Sequence, residues 1–442
     1  MRQKRSDGMR EHRFSGKGAE LLLWSIAHAA AATGGDNHRG KSLSGLGCRR
    51  GYHGFLIPKQ MDEVHDYRRL FVERHMCERA GKTASFWCNM PEILAAGHNN
   101  DPHAESSNEY GGPLMTLSIA GISLPHAAIL APMSGVTDMP FRRAVRRAGG
   151  GLVVTEMVAS AAILREVKSE MRKLRTDTVS EVPLSVQLAG WDPQIMADAA
   201  RIAADLGATF VDINMGCPAK KVTGRLSGSA LMRDEPLAGA ILEAVSNAVD
   251  VPVTLKMRLG WDDDSLNAPA IARLAGDAGI AMLAVHGRTR CQMYNGAADW
   301  RAVREVVEAV DLPVIVNGDI REMADISTAM TASGAAGVMI GRGAQGRPWL
   351  LAQAGDLLSG RAVRPDPGIA ERHAMMQQHL DDMLTHYGTP AMRLARKHIA
   401  WYAHGLPGAA DLRDIANNTT DAKAVFAAVD RFFTGLHEAE AA

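Results

Sequence analysis

The sequence lacks several features that would mark a secreted, membrane-bound or broadly polyanion-binding protein. Its five cysteines include no C-x-x-C pair and are odd in number, which argues against a disulfide framework and a zinc ribbon. Lysine plus arginine equals aspartate plus glutamate at 49 each, so any nucleic-acid site must be a local patch. No apolar run reaches the length of a membrane span. We therefore expect a cytoplasmic protein that binds neither metal nor membrane.

The 442 residues, with a 46% hydrophobic share, are enough for two or three globular domains. Residues 1–114 have no sustained helical or strand period, which predicts an N-terminal extension with little regular structure. An apolar stretch at 19–33 follows several arginines, as in a targeting peptide, but Glu20 and His28 interrupt it. We expect no export signal there. The alternative is that translation normally starts at Met115, so that residues 1–114 are a start-site artefact.

From residue 117 onwards, short β-branched runs alternate with amphipathic helical patterns. The predicted strands lie at 128–131, 152–155, 184–188, 210–213, 253–256, 282–285, 314–316 and 337–340. Strands that alternate with helices form a parallel sheet, and eight repeats suggest closure into a (β/α)8 TIM barrel over residues 115–355. An open doubly wound sheet is the competing fold, but no G-x-G-x-x-G sequence follows the first strand.

Residues 356–442 have a helical pattern and are predicted to form a small helical domain. Candidate helices lie at 372–386, 390–404 and 420–436, with glycines between them. The second helix carries positive charge at Arg393, Arg396, Lys397 and His398, followed by Trp401 and Tyr402. Base stacking and phosphate contact use these residue types, although a solvated helix face is the simpler explanation.

The fourth predicted strand ends in a loop that carries a lone thiol. Asn214, Met215 and Gly216 precede Cys217, and Pro218 follows it. Because proline fixes its own φ and restricts the preceding residue to extended geometry, stiff backbone holds this thiol in place. A buried structural cysteine is the alternative interpretation.

Polar residues or glycines follow the predicted strands throughout the barrel. These strand ends carry Pro132, Met133, Ser134, Glu156, Gln187, Asn214, Lys256, Arg258, His286, Arg288, Asn317, Gly318, Asp319, Gly341 and Arg342. Because ligands bind at the carboxyl ends of barrel strands, their joint placement predicts a site. The glycines and Arg342 after the last two strands suit a phosphate. Gln187 and Lys256 are placed to bind the rim of a flavin, and a phosphorylated sugar is the alternative ligand.

These motifs together resemble the tRNA-dihydrouridine synthase family, in particular its bacterial B-type branch. The resemblance covers residues 117–433 and rests on the motifs at 131–138, 214–221, 255–260, 286–290, 317–319 and 341–342. The helical tail at 396–408 is also similar to the family. Two features depart from its pattern: the long N-terminal segment, and Cys291, which stands where related chains more often have a small apolar residue.

The resemblance implies an FMN-containing barrel and a helical tRNA-binding domain that uses NADPH, or NADH, to reduce uridines in the tRNA D-loop. The B-type likeness suggests position 17 of the tRNA. The residues implied to hold FMN are Pro132, Met133, Ser134, Gln187, Lys256, His286, Asn317, Gly318, Asp319, Gly341 and Arg342. Cys217 would be the catalytic acid, Asn214 and Arg288 would face the uracil, and Lys220, Arg396 and Lys397 would contact the tRNA. A monomer is expected.

Further basic residues are candidate phosphate contacts, because a uridine inside folded tRNA must be turned outward and held firmly. They are Arg142, Arg143, Arg146, Arg147, Arg172, Lys173, Arg175, Lys221 and Arg225. Some of them are expected to be plain surface charges.

The residue types fit this chemistry. Saturation of the uracil C5–C6 bond needs a hydride at C6 and a proton at C5, and thiols are ordinarily protonated near neutral pH. Lys256 would either lower the pKa of the Cys217 thiol and favour its thiolate, or stabilise negative charge that develops on the reduced flavin or the uracil oxygen. Both interpretations stay open.

Two other functions also stay open. One is an FMN-dependent dehydrogenase of a free pyrimidine, like dihydroorotate dehydrogenases, and the basic clusters and helical tail argue against it. The other is a non-catalytic RNA-binding regulator on the same barrel, against which Cys217, Lys256 and His286 argue.

Overall fold

The structure is a computed structural model that describes residues 117–175, 181–224 and 226–441. The predicted N-terminal extension, its cysteines and Arg225 lie outside these ranges. The described chain begins with a small antiparallel hairpin, β1 (Ser118–Ile119) and β2 (Ile122–Ser123). Its turn contains Gly121 at φ 82°, a left-handed conformation that glycine adopts without steric cost.

A closed parallel sheet follows the hairpin. Its strands are β3 (Ala128–Leu130), β4 (Val153–Val154), β6 (Leu184–Ala189), β7 (Phe210–Met215), β8 (Val253–Arg258), β9 (Met282–His286), β10 (Val314–Asn317) and β11 (Gly337–Ile340). The order is β4-β3-β11-β10-β9-β8-β7-β6, and pairing of β4 with β6 closes the ring. A short strand, β5 (Val158–Ala159), extends the ladder beside β6. The predicted (β/α)8 TIM barrel is confirmed.

Helices surround this barrel and connect its strands. They are α1 (Met139–Arg147), α2 (Ser160–Ile163), α3 (Lys168–Leu174), α4 (Pro193–Asp205), α5 (Lys220–Thr223), α6 (Glu235–Ser246), α7 (Ala268–Asp277), α8 (Trp300–Val307) and α9 (Met323–Ser333). Aspartate side chains cap the backbone N–H groups that begin several of them: Asp138 for α1, Asp192 for α4, Asp234 for α6 and Asp299 for α8. Such caps fix where each helix starts.

The next helix, α10 (Leu350–Leu358), crosses the predicted boundary between residues 355 and 356. Its buried leucines belong to the same hydrophobic core as the barrel strands. The barrel core therefore extends past the residue where the sequence pattern was expected to stop. Division of the chain into two domains near this point stays a prediction, which a second hydrophobic cluster supports.

Four helices form that second cluster: α11 (Ile369–Tyr387), α12 (Ala391–Tyr402), α13 (Ala409–Asn418) and α14 (Ala422–Ala441). Met376, Leu380, Ile399 and Phe433 are among its buried side chains. Helix α11 also packs against α1 of the barrel. The pattern at 405–420 was not predicted to be helical, because Gly405 and Gly408 interrupt it.

Candidate active site

The carboxyl ends of the strands surround a cavity of about 510 Å³. The predicted site residues that line it are Pro132, Met133, Ser134, Gln187, Asn214, Cys217, Lys256, His286, Asn317, Gly318, Asp319, Gly341 and Arg342. Arg288, Lys220, Arg396 and Lys397 are not among the lining residues. The structure thus brings the expected cofactor residues, Asn214 and the thiol together, and it leaves these four residues outside the cavity.

A chain of hydrogen bonds crosses the floor of this cavity. The carboxylate of Asp212, on β7, accepts from Thr254 Oγ1 at 2.6 Å and from Gln187 Nε2 at 2.6 Å. Gln187 Oε1 in turn accepts from Asn214 Nδ2 at 2.7 Å. Burial raises the pKa of Asp212, although these donors oppose the shift. Asp212 was not predicted as a site residue, yet it fixes which way the Gln187 amide points.

Asn214 connects this chain of hydrogen bonds to the loop that carries Cys217. Its Oδ1 accepts from the backbone N–H groups of Gly216 at 3.2 Å and Cys217 at 3.0 Å. Because an amide nitrogen carries two hydrogens and only one points at Gln187, Asn214 keeps one donor for a ligand. The side chain therefore holds the loop and can also contact a bound ring.

The loop is held from its other side by Ser229 and Arg258. The Cys217 carbonyl accepts from Ser229 N–H at 3.1 Å and from Ser229 Oγ at 2.9 Å. Arg258 Nε donates to the Gly216 carbonyl at 2.8 Å. Gly228, at φ 62°, lets the chain pass so close that a Cβ there would lie 2.8 Å from the Cys217 oxygen. Cys217 is a half-buried free thiol on a loop with little freedom to move.

Lys256 supplies positive charge to the wall beside this loop. It is 8% exposed, and its Nζ donates to Asn317 Oδ1 at 3.0 Å. Asn317 is itself fixed, since its Nδ2 donates to the Met339 carbonyl at 2.7 Å. Burial, with a contribution from Arg258, lowers the pKa of Lys256 to about 8. The ammonium is therefore the main form at neutral pH.

His286 lies near Lys256 and is neutral. Burial first, and then the charge of Lys256, lowers its pKa well below the usual value. His286 Nε2 lies 3.2 Å from Nη1 of Arg288. Because a guanidinium can only donate, Nε2 is the acceptor and Nδ1 carries the hydrogen.

Arg288 lies behind the cavity wall, and its hydrogen bonds go to the chain itself. It is 1% exposed, and it donates to the carbonyls of Asn295 at 3.1 Å and Gly296 at 2.6 Å. It also forms an ion pair with Asp319, which accepts from the Ala298 N–H at 2.9 Å as well. The structure gives Arg288 no contact with the cavity, so a role at the uracil is not supported.

Glycine backbone and Arg342 form the cavity end near β10 and β11. Gly318 has φ 119°, and a Cβ there would lie 2.7 Å from the Cβ of Ala298 and 2.8 Å from Cδ2 of His286. Only glycine fits at this position without a clash. Arg342 lies at the rim, where its Nη2 donates to Asp319 Oδ1 at 3.0 Å. Burial opposes ionisation of Asp319, but the donors from Arg288 and Ala298 prevail and lower its pKa.

Sequence reasoning did not select Tyr294, which also lines the cavity. The residue is 54% exposed, and its ring centre lies 5.6 Å from the guanidinium carbon of Arg258 and 4.9 Å from that of Arg342. This arrangement is typical of cation–π contacts. A single aromatic residue in a polar loop produces no hydrophobic periodicity, so the sequence pattern did not indicate it.

The basic helix α12 is mostly engaged within the chain. Lys397 Nζ donates to the Gly135 carbonyl of the barrel, and Arg396 Nε donates to the Ala416 carbonyl at 3.1 Å. The expectation of a charged His398 is wrong, because this residue is 1% exposed and burial lowers its pKa well below the usual value. Tyr402 is buried as well. Of the expected patch, Arg393 is exposed, and Arg396, Lys397 and Trp401 are partly exposed.

The arginines that follow β3 also have structural partners. Arg142 is buried and pairs with Glu181 at 2.8 Å. Arg147 forms an ion pair with Asp382 of α11, and Arg146 donates to the Val182 carbonyl at 2.6 Å. The interpretation of Arg142 as a phosphate contact is wrong, since it has no surface to offer. Lys220, by contrast, is exposed on α5, three residues after Cys217.

The described residues contain neither a membrane-spanning helix nor a metal-binding cluster. None of their helices is both long and apolar enough to cross a bilayer. Within the same ranges, no group of three or more histidine, cysteine, aspartate or glutamate side chains is placed to hold a metal ion. Cys291 is exposed and lies outside the cavity lining.

Comparison with known proteins agrees with this geometry. The family model described as "Dihydrouridine synthase (Dus)" matches residues 129–436. A probable tRNA-dihydrouridine synthase of Rickettsia conorii is 48% identical over 326 residues, which cover 73% of this chain and 98% of the relative. One from Rhodobacter capsulatus is 51% identical over 321 residues, covering 72% and 98% respectively. The tRNA-dihydrouridine synthase B of Xanthomonas campestris is 45% identical over 322 residues, covering 72% and 96%. This chain belongs to the dihydrouridine synthase family.

Proposed function

We propose that this protein is a flavin-dependent tRNA-dihydrouridine synthase that reduces the C5–C6 double bond of uridines in the D-loop of tRNA. The observation that carries the proposal is the Cys217 thiol, whose loop is held by Asn214, Ser229 and Arg258 at a cavity that Lys256 and Arg342 also line. The membership of the chain in the dihydrouridine synthase family supports it.

FMN fits the cavity in both chemistry and size. The volume of about 510 Å³ lies within the range of cofactor sites. The glycine-backed end near Gly318 and Gly341, with Arg342 at its rim, suits a phosphate. Gln187, Lys256 and the Nδ1 hydrogen of His286 are polar donors for the edge of a ring system. Reduced flavin supplies hydride when bound, and NADPH is the proposed reductant.

The residues of this chain have separate tasks in that reaction. Cys217 would donate the proton to C5 of the uracil. Asn214 offers its remaining amide hydrogen to the uracil and keeps the thiol loop in place. Lys256 places a positive charge where the buried wall strengthens its interaction with developing negative charge. The interpretation that Lys256 instead favours a thiolate would leave the acid role to another group.

The tRNA substrate must present its uridine outside the folded loop before the base can enter the cavity. Lys220 and Lys221 are exposed beside Cys217 and are proposed to contact phosphates there. We propose position 17 as the target uridine, a monomer as the active form and the cytoplasm as the place of reaction. Because Lys397 is bonded to the barrel, its contribution to RNA binding would be secondary.

The test uses the full chain and tRNA from a strain that lacks dihydrouridine. We expect a yellow protein with an FMN spectrum that, with NADPH, forms dihydrouridine at position 17. Free uracil and dihydroorotate should not react. A protein that neither contains nor takes up flavin, or that turns over a free pyrimidine while leaving tRNA unchanged, would contradict the proposal.

A further inference from the structure

A second cavity, of about 280 Å³, lies between the barrel and the C-terminal helices. It shares Arg342 and Gln345 with the active-site cavity, so the two are neighbours. No step of the proposed reaction uses this second cavity. Its remaining lining comes from the segment between β11 and α11, from helices α11 and α12, and from His404, which follows α12.

Aromatic side chains form much of the wall of this second cavity. Trp349 and Tyr402 are buried, at 4% and 3% exposure, whereas Trp401 is partly exposed. Trp349 Nε1 donates to Asp366 Oδ1 at 3.0 Å, and the guanidinium of Arg372 lies 5.2 Å from its ring centre. One face of Trp349 is thus already covered. Trp401 also lines this cavity; it packs partly against the barrel core, and its partly exposed ring is the one that we take as the stacking surface for a planar ligand.

Arginines line the same space and are held in fixed orientations by carboxylates. Arg347 pairs with Glu322 at 2.9 Å and Arg372 with Asp366 at 3.2 Å. Arg342 pairs with Asp319 at 3.0 Å. Because every one of these cations has an acidic partner, the net positive charge is small. A singly charged phosphodiester suits this balance better than a dinucleotide, whose several phosphate charges would need more uncompensated cations.

We propose that the second cavity binds a nucleotide of the RNA substrate that is a chain neighbour of the uridine in the active site. Its base stacks on Trp401, and its phosphodiester contacts Arg347. This proposal rests on the proposed function, since it takes tRNA as the substrate. It adds to that function a second binding site, which holds a flanking nucleotide while the target base lies in the first cavity.

The experiment compares four variants of the full chain with wild type. Trp401→Leu removes the aromatic face, and Trp401→Phe keeps one. Arg347→Gln removes one cation at the cavity. Arg201→Gln removes a salt-bridged, exposed arginine of α4 that lines neither cavity. The measurements are the Kd for tRNA at several salt concentrations, the bound flavin content, and the rate at which NADPH reduces the flavin without tRNA.

We expect Trp401→Leu to weaken tRNA binding about tenfold, and Trp401→Phe to restore most of that loss. Arg347→Gln should lower the slope of log Kd against log salt by about one, whereas Arg201→Gln should leave it unchanged. Flavin content and the NADPH reaction should match wild type in all four.

Two results would overturn this proposal. One is wild-type tRNA affinity in both Trp401→Leu and Arg347→Gln, and the other is a slowed NADPH reaction with unchanged tRNA affinity, which would assign the cavity to the reductant. Failure of the proposed function gives a different result: wild type binds tRNA without forming dihydrouridine, and the binding data still decide the role of the cavity. A wild-type chain that does not bind tRNA would contradict both.

Discussion

The phenolic hydroxyl of Tyr387, on α11, donates a 2.7 Å hydrogen bond to Oδ2 of Asp138, in the loop before α1. The other carboxylate oxygen of Asp138 accepts from the Phe141 N–H at 3.1 Å and so caps α1. Burial raises the pKa of Asp138 to about 6, although the two hydrogen bonds oppose the shift. One carboxyl group therefore both begins a barrel helix and joins the barrel to the C-terminal helices.

Tyr387→Phe should lower the free energy of unfolding by about 1 to 3 kcal/mol, because it leaves a buried carboxylate oxygen without its donor. Denaturant unfolding measures this loss. Tyr294→Phe is the control, since that phenol belongs to a half-exposed ring and its loss should change stability by less than about 0.5 kcal/mol. Equal effects of the two substitutions would show that the Asp138 bond contributes nothing specific.

Asp138→Asn should change how stability depends on pH. Since the folded-state pKa of Asp138 is raised from 3.8 to about 6, the folded protein holds an extra proton between these values. Stability of wild type relative to Asp138→Asn should therefore fall as pH rises from 4 to 6, by at most about 1.4 kcal/mol per pH unit, and stay level above that. Asparagine can still cap α1. A constant difference across this window would contradict the raised pKa.

The fold was predictable because strand patterns and helical patterns alternate repeatedly along the barrel sequence. Each strand of the barrel is a short, mostly apolar run, and aspartate or proline marks the start of helices such as α4 and α6. Helix α13 was missed, because glycines at both 405 and 408 look like a linker in sequence. The sequence pattern cannot show that Gly408 adopts φ 75° and begins a helix directly.

Lys256 should make flavin affinity depend on pH. Its pKa, lowered by burial to about 8, means that the ammonium is lost as pH rises through that value, and with it a charged donor to the ring. Flavin fluorescence titration of the flavin-free protein should show affinity falling above pH 8. Lys256→Met should bind more weakly at pH 7 and show no such step. If both proteins bind flavin alike at pH 7, Lys256 does not contact the ring.

Arg288→Met separates a structural role of this residue from a role in substrate binding. Removal of one partner of a largely buried ion pair should cost about 3 to 5 kcal/mol, because Asp319 loses its buried cation and the carbonyls of Asn295 and Gly296 lose a donor. Denaturant unfolding of the protein checks this loss. Arg301→Met, at an exposed position on α8, should change stability by less than about 0.5 kcal/mol. A stable Arg288→Met protein with weakened tRNA binding would instead support the role suggested by sequence.

The arginines show what sequence alone could not decide. Residue type predicts that Arg142, Arg288 and Arg342 are all suited to phosphate or uracil. In the fold, Arg142 and Arg288 are 1% exposed and paired with carboxylates, whereas the Arg342 side chain is 42% exposed at the cavity rim. Those carboxylates, Glu181 and Asp319, are 39 and 31 residues away along the chain. A local pattern does not contain pairings at such separations. The sequence therefore predicted which strand-end residues line the cavity better than it predicted where the arginines around them lie.

Cys217→Ala tests the acid role most directly. Because the loop is held through backbone atoms of Gly216 and Cys217, loss of the sulfur should leave flavin content and tRNA affinity near wild type. Single-turnover reduction of tRNA by the pre-reduced protein should fall at least a hundredfold, the usual contribution of a positioned acid. Cys291→Ser is the matched control, because that thiol is exposed and outside the cavity, and it should react at the wild-type rate. A Cys217→Ala protein that still reduces tRNA in a single turnover at the wild-type rate would show that the proton comes from elsewhere. Lys256, a buried cation that lines the same cavity, would then be the group to replace next.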